Sequence, residues 1–308
     1  MANPGTPTFD QLRIFLAVVE TGSFAGAGRK LNRAVSVISY GIANLEAQLG
    51  LPLFEREGTK KPQLTAAGKA VLAEARTVAV GIDGLRAKVK GMLDGLEAEV
   101  SLVVDVMLPA ERLGLVLRTF RAQFPTVSLR LHVEGLGAVA ALVLDGQADL
   151  GIAGPVAAQV EGLVQCTAGS VPLVPVAAPD HPLARAATLR PGAAREYVQL
   201  VLTDRSQLTS GRDFAVNSPH TWRLSDLGAK HALLREGIGW GNMPLPMVEA
   251  DLVAGTLVRL VMPDSPGGLY RFSAIHRPDA PPGPAATWLM QRFVDLGAAD
   301  GDGGLADV

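Results

Sequence analysis

The chain has 308 residues, with 28 Lys or Arg, 30 Asp or Glu and a formal net charge of −2. Domains of ~100–200 residues are usual, so this length suits two or three units with their own cores. At 48% apolar and 19% charged, with one cysteine (Cys166), the composition excludes a disordered chain, an intramolecular disulfide framework and a cysteine-rich zinc site.

The opening Met1-Ala-Asn-Pro-Gly5 has neither the basic nor the apolar run of a secretion signal. Thr8-Phe-Asp-Gln11 then fits a capping box, and Leu12, Phe15, Leu16 and Val19 form one apolar helical stripe. Gly22 ends that helix and Ser23 caps the next, Phe24 to Leu31. A third helix carries Ile38, Ile42, Leu45 and Leu49 on one face and stops at Gly50 and Pro52. Two short helices joined by a few residues are the helix-turn-helix layout. Leu53-Phe54, the turn Glu57-Gly58-Thr59, Lys60-Lys61 and Gln63-Leu64 follow as a two-stranded wing with a basic tip.

Thr65-Ala-Ala-Gly-Lys69 opens a long helix. Val71, Ala75, Val78, Ile82, Leu85, Val89, Met92 and Leu96 alternate in steps of four and three, a heptad seam that calls for a partner helix. A core-facing helix of a globular domain is the competing reading. The polar remainder of the run favours a dimer seam, and Gly81, Gly84 and Gly91 weaken the helix unless a partner supports it. Divided at residue 96, the charge is uneven. Residues 1–96 hold 12 Lys/Arg against 8 Asp/Glu, net +4, and residues 97–308 hold 16 against 22, net −6. A basic front joined to an acidic body suggests a nucleic-acid-facing part with a separate task behind it.

Beyond residue 96 strands and helices alternate, as in α/β units. Strands are expected at Val100–Val106, Val127–Val133, Asp149–Ala153, Val171–Ala177, Tyr197–Thr203, Trp222–Ser225 and Leu257–Leu260. Helices are expected at Glu111–Phe124, Leu136–Leu144 and Asp226–Glu236. Gly162–Pro179 has no formal charge, but its three prolines argue for strand and loop rather than a membrane span. The Gly/Ala/Asp-rich tail 297–308 is expected to be flexible.

Gly135-Leu-Gly137-Ala-Val-Ala140 has the spacing of a dinucleotide fingerprint, yet the next strand ends in Gly154-Pro155 rather than in an acid for ribose hydroxyls. It reads better as a tight strand–helix turn. His132, His181, His220, His231 and His276 lack ligand spacing, and Cys166 has no resolving partner and reads as a buried structural thiol. No nucleophile motif is present, so no cofactor, metal or catalysis is expected.

The helix-turn-helix carries more. Arg33, Ala34, Val35, Ser36 and Val37, with Ser39 and Tyr40 one turn on, occupy the exposed start of the third helix, where such folds meet base edges. Arg33 and Ser36 suit hydrogen bonds, and Ala34 and Val35 suit apolar contact with a thymine methyl. Arg29, Lys30, Arg56, Lys60 and Lys61 suit phosphates, with Ser23 beside them.

The stretch Phe9-Asp-Gln-Leu-Arg-Ile-Phe-Leu-Ala-Val-Val-Glu-Thr-Gly-Ser-Phe24 resembles the LysR-type transcriptional regulators. So do Ala27, Leu31, Ile38-Ser39, Asn44-Leu45-Glu46, Leu49 to Arg56 and Leu64-Thr-Ala-Ala-Gly68. Phe120 to Pro125, Gly146 to Ile152, Ala178 to Leu183 and Gly237 to Pro244 are similar to that family's effector domain. The resemblance implies a multidomain α/β protein. A winged helix-turn-helix (1–65) and a linker helix for dimerisation (66–96) would precede a two-lobed, periplasmic-binding-protein-like domain (97–296). Lobe I would span about 97–167 and 268–296, and lobe II 168–267. Ala34, Val35 and Tyr40 depart from the family's usual residues, so its base contacts do not transfer, and Gly26 and Gly28 loosen the helix before them.

In that architecture the effector sits at strand C-termini and helix N-termini. The candidates are Met107, Leu108, Pro109, Leu136, Gly137, Thr203, Asp204, Arg205, Ser206, Trp240 and Asn242, with Asp226 more simply a helix cap. Met107 and Leu108 make the first loop poorly suited to a simple carboxylate, whereas Arg205 offers a cation. The expected function is a cytoplasmic, sequence-specific DNA-binding regulator modulated by a small molecule. Promoter DNA, the effector, a second copy (dimer, then tetramer) and RNA polymerase are its partners, and no membrane is. The rival is a small-molecule binding module or enzyme with a helical dimerisation arm and no specific DNA target.

Overall fold

In the computed structural model, which describes residues 5–55 and 61–302, the chain forms two compact units, residues 1–90 and 91–308.

The first unit begins with α1 (Phe9–Thr21). The expected capping box is formed, with the Gln11 N–H on Thr8 Oγ1 at 3.3 Å and the Thr8 N–H on Gln11 Oε1 at 2.7 Å. Helices α2 (Phe24–Leu31) and α3 (Val35–Leu49) follow, α2 capped by Ser23 and α3 closed by Gly50 at φ +73°. Ile14, Phe15, Val18, Ala27, Ile38, Ile42, Leu45 and Leu53 make the core. Gly26 and Gly28 do more than loosen α2: a methyl group on Gly28 would lie 2.8 Å from the Arg33 carbonyl, so glycine lets the α2–α3 turn close. Glu46 reaches past the end of α3 and accepts from the Leu53 and Phe54 N–H groups at 2.7 and 3.2 Å. The expected wing is present as a single antiparallel bridge, Phe54 to Leu64; its turn at 57–59 lies outside the described residues.

Thr65 caps α4 (Ala66–Leu93), its hydroxyl accepting from the Gly68 N–H at 2.9 Å. The seam divides in two. Ala75 is buried and Val71 half-buried against the first unit's own core, so these two belong to that core. Val78, Leu85, Val89 and Met92 are exposed, and Ile82 half-buried. Leu96 lies past the helix end.

The second unit alternates β1 (Glu99–Asp105), α5 (Ala110–Gln123), β2 (Ser128–Glu134), α6 (Gly137–Leu144) and β3 (Leu150–Ala153). The long β4 (Val164–Ala177) comes next. Then follow α7 (Pro182–Arg185), β5 (Gln199–Leu202), β6 (Thr221–Leu224), α8 (Leu227–Arg235), β7 (Trp240–Pro244) and α9 (Leu245–Ala254). The short β8 (Val258–Arg259), β9 (Gly268–His276) and α10 (Pro284–Asp302) complete it. The order β2-β1-β3-β9-β4-β7-β5-β6 makes one mixed sheet with β8 on β4. Parallel β1, β2 and β3 form one end, and β7, β5 and β6 the other; antiparallel β4 and β9 run through both, with a register shift between Thr167 and Ser170.

The sequence reading missed α7, β7, β9, α9 and α10, and covered only the second half of β4. The expected flexible tail begins as helix, because α10 continues through Gly297 to Asp302. Glu97 anchors its start by accepting from the Ala285 and Ala286 N–H groups, each at 3.0 Å. Cys166 is exposed rather than buried, on the β4 segment beside β9. No described helix is long and apolar enough to cross a membrane.

Gly68→Ala would drive a methyl group into the Leu53 carbonyl, whereas Gly84 has open space around it. Thermal unfolding should show Gly68→Ala destabilising the first unit by more than about 2 kcal/mol. Gly84→Ala should be neutral or stabilising by up to ~1 kcal/mol.

Candidate functional site

The first site is the outward face of α3. Ala34, Val35, Ser36, Val37, Ser39 and Tyr40 are all exposed, Tyr40 at 70%, while Ile38, Gly41, Ile42 and Leu45 turn inward. Ala34 is the N-cap residue and gives no side-chain cap, so the first N–H groups of α3 face outward without one.

The surrounding cations divide. Arg33 is exposed but engaged: its guanidinium forks onto Asp10 at 2.6 and 2.9 Å and braces α1 against the α2–α3 turn. That hydrogen bond raises the Arg33 pKa and lowers that of Asp10. Lys30 pairs with Glu20 at 2.5 Å, and the Ser23 hydroxyl is used as a cap, accepting from the Gly26 N–H at 3.0 Å. Arg29 and Lys61 are exposed; Arg56 and Lys60 lie outside the described residues.

The second site is built on Asp105, at the end of β1 and 1% exposed. Its Oδ1 accepts from the Met107 N–H at 2.9 Å and its Oδ2 from the Tyr270 hydroxyl at 2.8 Å. The N–H groups of Leu136 and Gly154 add to them. One carboxylate thus gathers the ends of β1, β2 and β3 onto β9. Burial raises the Asp105 pKa to about 6 against the lowering effect of these hydrogen bonds, while burial and the neighbouring Asp105 carboxylate together raise that of Tyr270 well above its ordinary value. Gly154 must be glycine, because a Cβ there would collide with the Tyr270 hydroxyl. Leu136 sits at φ +51°, a left-handed conformation a leucine rarely takes.

Next to this carboxylate lies a cavity of about 180 Å³. Met107, Leu136, Pro155 and Val156 wall it on one side, Leu173 and Tyr270 from β4 and β9 close its base, and β5 with Phe214, Ala215, Lys230 and Asn242 forms the other side. The Gln199 carboxamide accepts from the Asn217 and Ser218 N–H groups at 2.8 and 3.1 Å and donates to the Ala215 carbonyl at 2.8 Å, pinning the loop that carries Ala215. Lys230 is 3% exposed, and its Nζ donates to the Asn242 carbonyl at 2.7 Å. Burial lowers its pKa from 10.5 to about 8. The Asn242 Oδ1 is buried without a hydrogen-bond partner.

The sequence candidates separate accordingly. Met107, Leu136 and Asn242 line the cavity; Leu108 and Pro109 line an apolar recess of about 360 Å³ between the start of α5 and the α8 and α9 termini. Thr203, Asp204, Arg205 and Ser206 line a polar recess of about 430 Å³ with Arg212 and Arg223. The Asp204 carboxylate there is occupied by the Ser206 and Thr209 hydroxyls. Two further candidates line none of these recesses. Trp240 is fully buried in a separate cluster, packed with Leu183, Ala194, Leu260 and Met262 and with its indole N–H on the Ala194 carbonyl at 3.2 Å. Gly137 is a packing point, where a Cβ would lie 2.6 Å from Ser206 Oγ.

Asp105, Lys230, Gln199 and Tyr270 escaped the sequence. Asp105 had a signal, as the one charge in the apolar run Leu102 to Met107. Lys230 had one too: it shares the buried stripe of α8 with Leu227 and Leu234. Among the described residues no three His, Cys, Asp or Glu side chains converge to hold a metal ion.

Comparison with known proteins adds the family. A model described as "LysR substrate binding domain" matches residues 93–298, and one described as "Bacterial regulatory helix-turn-helix protein, lysR family" matches residues 9–69. The chain is 26% identical to the probable HTH-type transcriptional regulator YhaJ of Escherichia coli, over 96% of this chain and 99% of that one. It is 28% identical to the HTH-type transcriptional regulator AceR of Acinetobacter baumannii, over 79% and 80% of the two. Among solved structures, an OxyR mutant from Corynebacterium glutamicum shares the fold, with a TM-score of 0.53 at 19% identity over 99% of both chains.

The Lys230 shift has a sign. Its folded pKa lies below the unfolded value, so the penalty, about 3 kcal/mol from 10.5 to about 8, is present below pH 8 and is relieved as pH rises toward 10.5. Thermal unfolding of Lys230→Met against the wild type should show the variant's relative stability falling steadily between pH 7 and pH 10. A pH-independent difference would place the ammonium in water.

Proposed function

The chain belongs to the LysR family of DNA-binding transcriptional regulators modulated by a small-molecule effector, and we propose how its own residues divide that work. Helix α3 enters the major groove, where Ser36, Ser39 and Tyr40 supply hydrogen bonds and Ala34 and Val35 pack on apolar base edges such as thymine methyls. Arg29 and Lys61, with Arg56 and Lys60, hold phosphates. Arg33 and Lys30 act indirectly, since their charges are paired with Asp10 and Glu20.

The effector occupies the cavity beside Asp105, between the two ends of the sheet. The protein acts in the cytoplasm, without catalysis, as a homodimer that pairs into a tetramer on promoter DNA within reach of RNA polymerase. A second copy covers Val78, Ile82, Leu85, Val89 and Met92, apolar side chains at heptad spacing that one chain leaves largely open. The observation that carries the DNA reading is the exposed face that Ala34, Val35, Ser36, Val37, Ser39 and Tyr40 present at the start of α3. A second reading, a regulator that binds DNA without sequence preference, is favoured by one feature: Arg33, the long donor at this face, is tied to Asp10.

Gel-shift titration on DNA captured from the genome separates the two. Sequence-specific binding gives a complex that survives excess unrelated competitor, and Val35→Asp or Tyr40→Ala should weaken it at least tenfold (about 1.4 kcal/mol or more) without changing the melting temperature. Affinity in both readings should fall steeply with salt. Loss of the complex to competitor supports the second reading. Light scattering should show Leu85→Glu/Val89→Glu converting the oligomer to a single chain, with the DNA-binding unit still folded; an unchanged mass removes the α4 seam from the proposal.

A further inference from the structure

The second unit buries an ammonium with nothing of opposite charge beside it. Lys230 meets one carbonyl, that of Asn242, and no described carboxylate pairs with it. Asp105, the buried carboxylate beside the cavity, is already engaged by Met107, Leu136, Gly154 and Tyr270. A buried charge without a partner is destabilising, and an aliphatic residue of similar length on this stripe of α8 would fill the same space more favourably. An ammonium has three donors, so two of Lys230's remain for an occupant of the cavity it lines. The Asn242 Oδ1 adds a buried acceptor with no donor. Apart from these groups and the Tyr270 and Gln199 side chains, which are already bonded, the walls are apolar: Met107, Leu136, Val156, Leu173, Leu200 and Phe214 are the main ones.

Size narrows the occupant. An apolar protein cavity of about 150 Å³ takes a benzene molecule, and this one measures about 180 Å³. We infer that the effector is a compact monoanion with one ring-sized apolar body, its acid group on Lys230 and an adjacent hydroxyl or amino donor on the Asn242 oxygen. The class is that of small aromatic hydroxy- or amino-acids. The inference rests on the cavity being the effector site. It also assigns the cation to α8 rather than to Arg205, which is exposed in a separate recess. A bound acid supplies the counter-charge Lys230 lacks and should hold the lysine protonated, so ligand binding and charge burial reinforce each other.

Calorimetric titration of the full-length chain at pH 7, without DNA, tests this with salicylate, benzoate and the neutral analogue salicylamide. Salicylate should bind at least about tenfold more tightly than salicylamide, and benzoate, which lacks the second donor, about threefold to tenfold more weakly than salicylate. Lys230→Met should lose the preference for the acid over the amide, and Lys230→Arg should keep part of it. If Lys230→Met does not fold, the three ligands on the wild type decide the matter. Equal affinity for salicylate and salicylamide, no heat from salicylate at millimolar concentration, or an undiminished acid preference in Lys230→Met overturns the inference. Salicylate binding with this preference but no effect on promoter affinity would instead count against the cavity's regulatory role and leave the ligand chemistry intact.

Discussion

The second unit is organised around a single buried carboxylate. Three parallel strands end where Asp105 collects the N–H groups of Met107, Leu136 and Gly154, and the hydroxyl of Tyr270 joins them from β9. Those bonds force the remaining features of the site. Gly154 has no side chain because the Tyr270 hydroxyl takes its place, and Leu136 accepts a left-handed backbone so that its N–H can turn inward. Met107 and Leu136 are thereby brought to the cavity wall at fixed positions, with Tyr270 at its base. A satisfied buried network of this kind holds one arrangement of loops far better than apolar packing alone.

Lys230 is the complement of Asp105. One carboxylate is buried with its donors in place, whereas one ammonium is buried with most of its acceptors missing. The first arrangement builds the site and the second leaves it electrostatically incomplete. An incomplete charge in an enclosed, low-dielectric cavity makes occupancy energetically consequential, which is what a sensing domain requires. Lys230 lines the cavity together with Met107, Leu136 and Tyr270, the residues that bond to Asp105, so an occupant that meets Lys230 also packs on what Asp105 holds.

The periodic parts of the chain were legible in the sequence. Thr8 and Gln11 announced a capping box, the stripe Ile38, Ile42 and Leu45 gave α3 its inward face, and the exposed face followed by elimination. The strands of the C-terminal unit were legible where an apolar run met a turn; β9 was passed over although Tyr270, Phe272 and Ala274 alternate with Arg271 and Ser273 in the period of a half-buried strand, and its pairing with β3 and β4 depends on partners about a hundred residues away. Seam positions were legible as a period but not as an allegiance, since spacing alone does not say that Ala75 packs inside its own unit while Leu85 is left open. Charges were the hardest to place. Arg33 looked like a base contact and is a brace on Asp10, and Arg205 looked like the effector's cation while Lys230 holds the cavity. Side-chain partners across 20 or more residues depend on tertiary approach, which local spacing does not encode.

Coupling between the cavity and α3 is a thermodynamic statement and is reciprocal: if an occupant changes affinity for DNA, DNA changes affinity for the occupant by the same factor. The most direct test is therefore a salicylate titration of the intact chain, once alone and once saturated with its captured operator DNA. The account predicts that the two dissociation constants differ by about 5- to 150-fold. Identical constants would contradict it, because they would mean that the cavity and the DNA-reading helix do not sense one another.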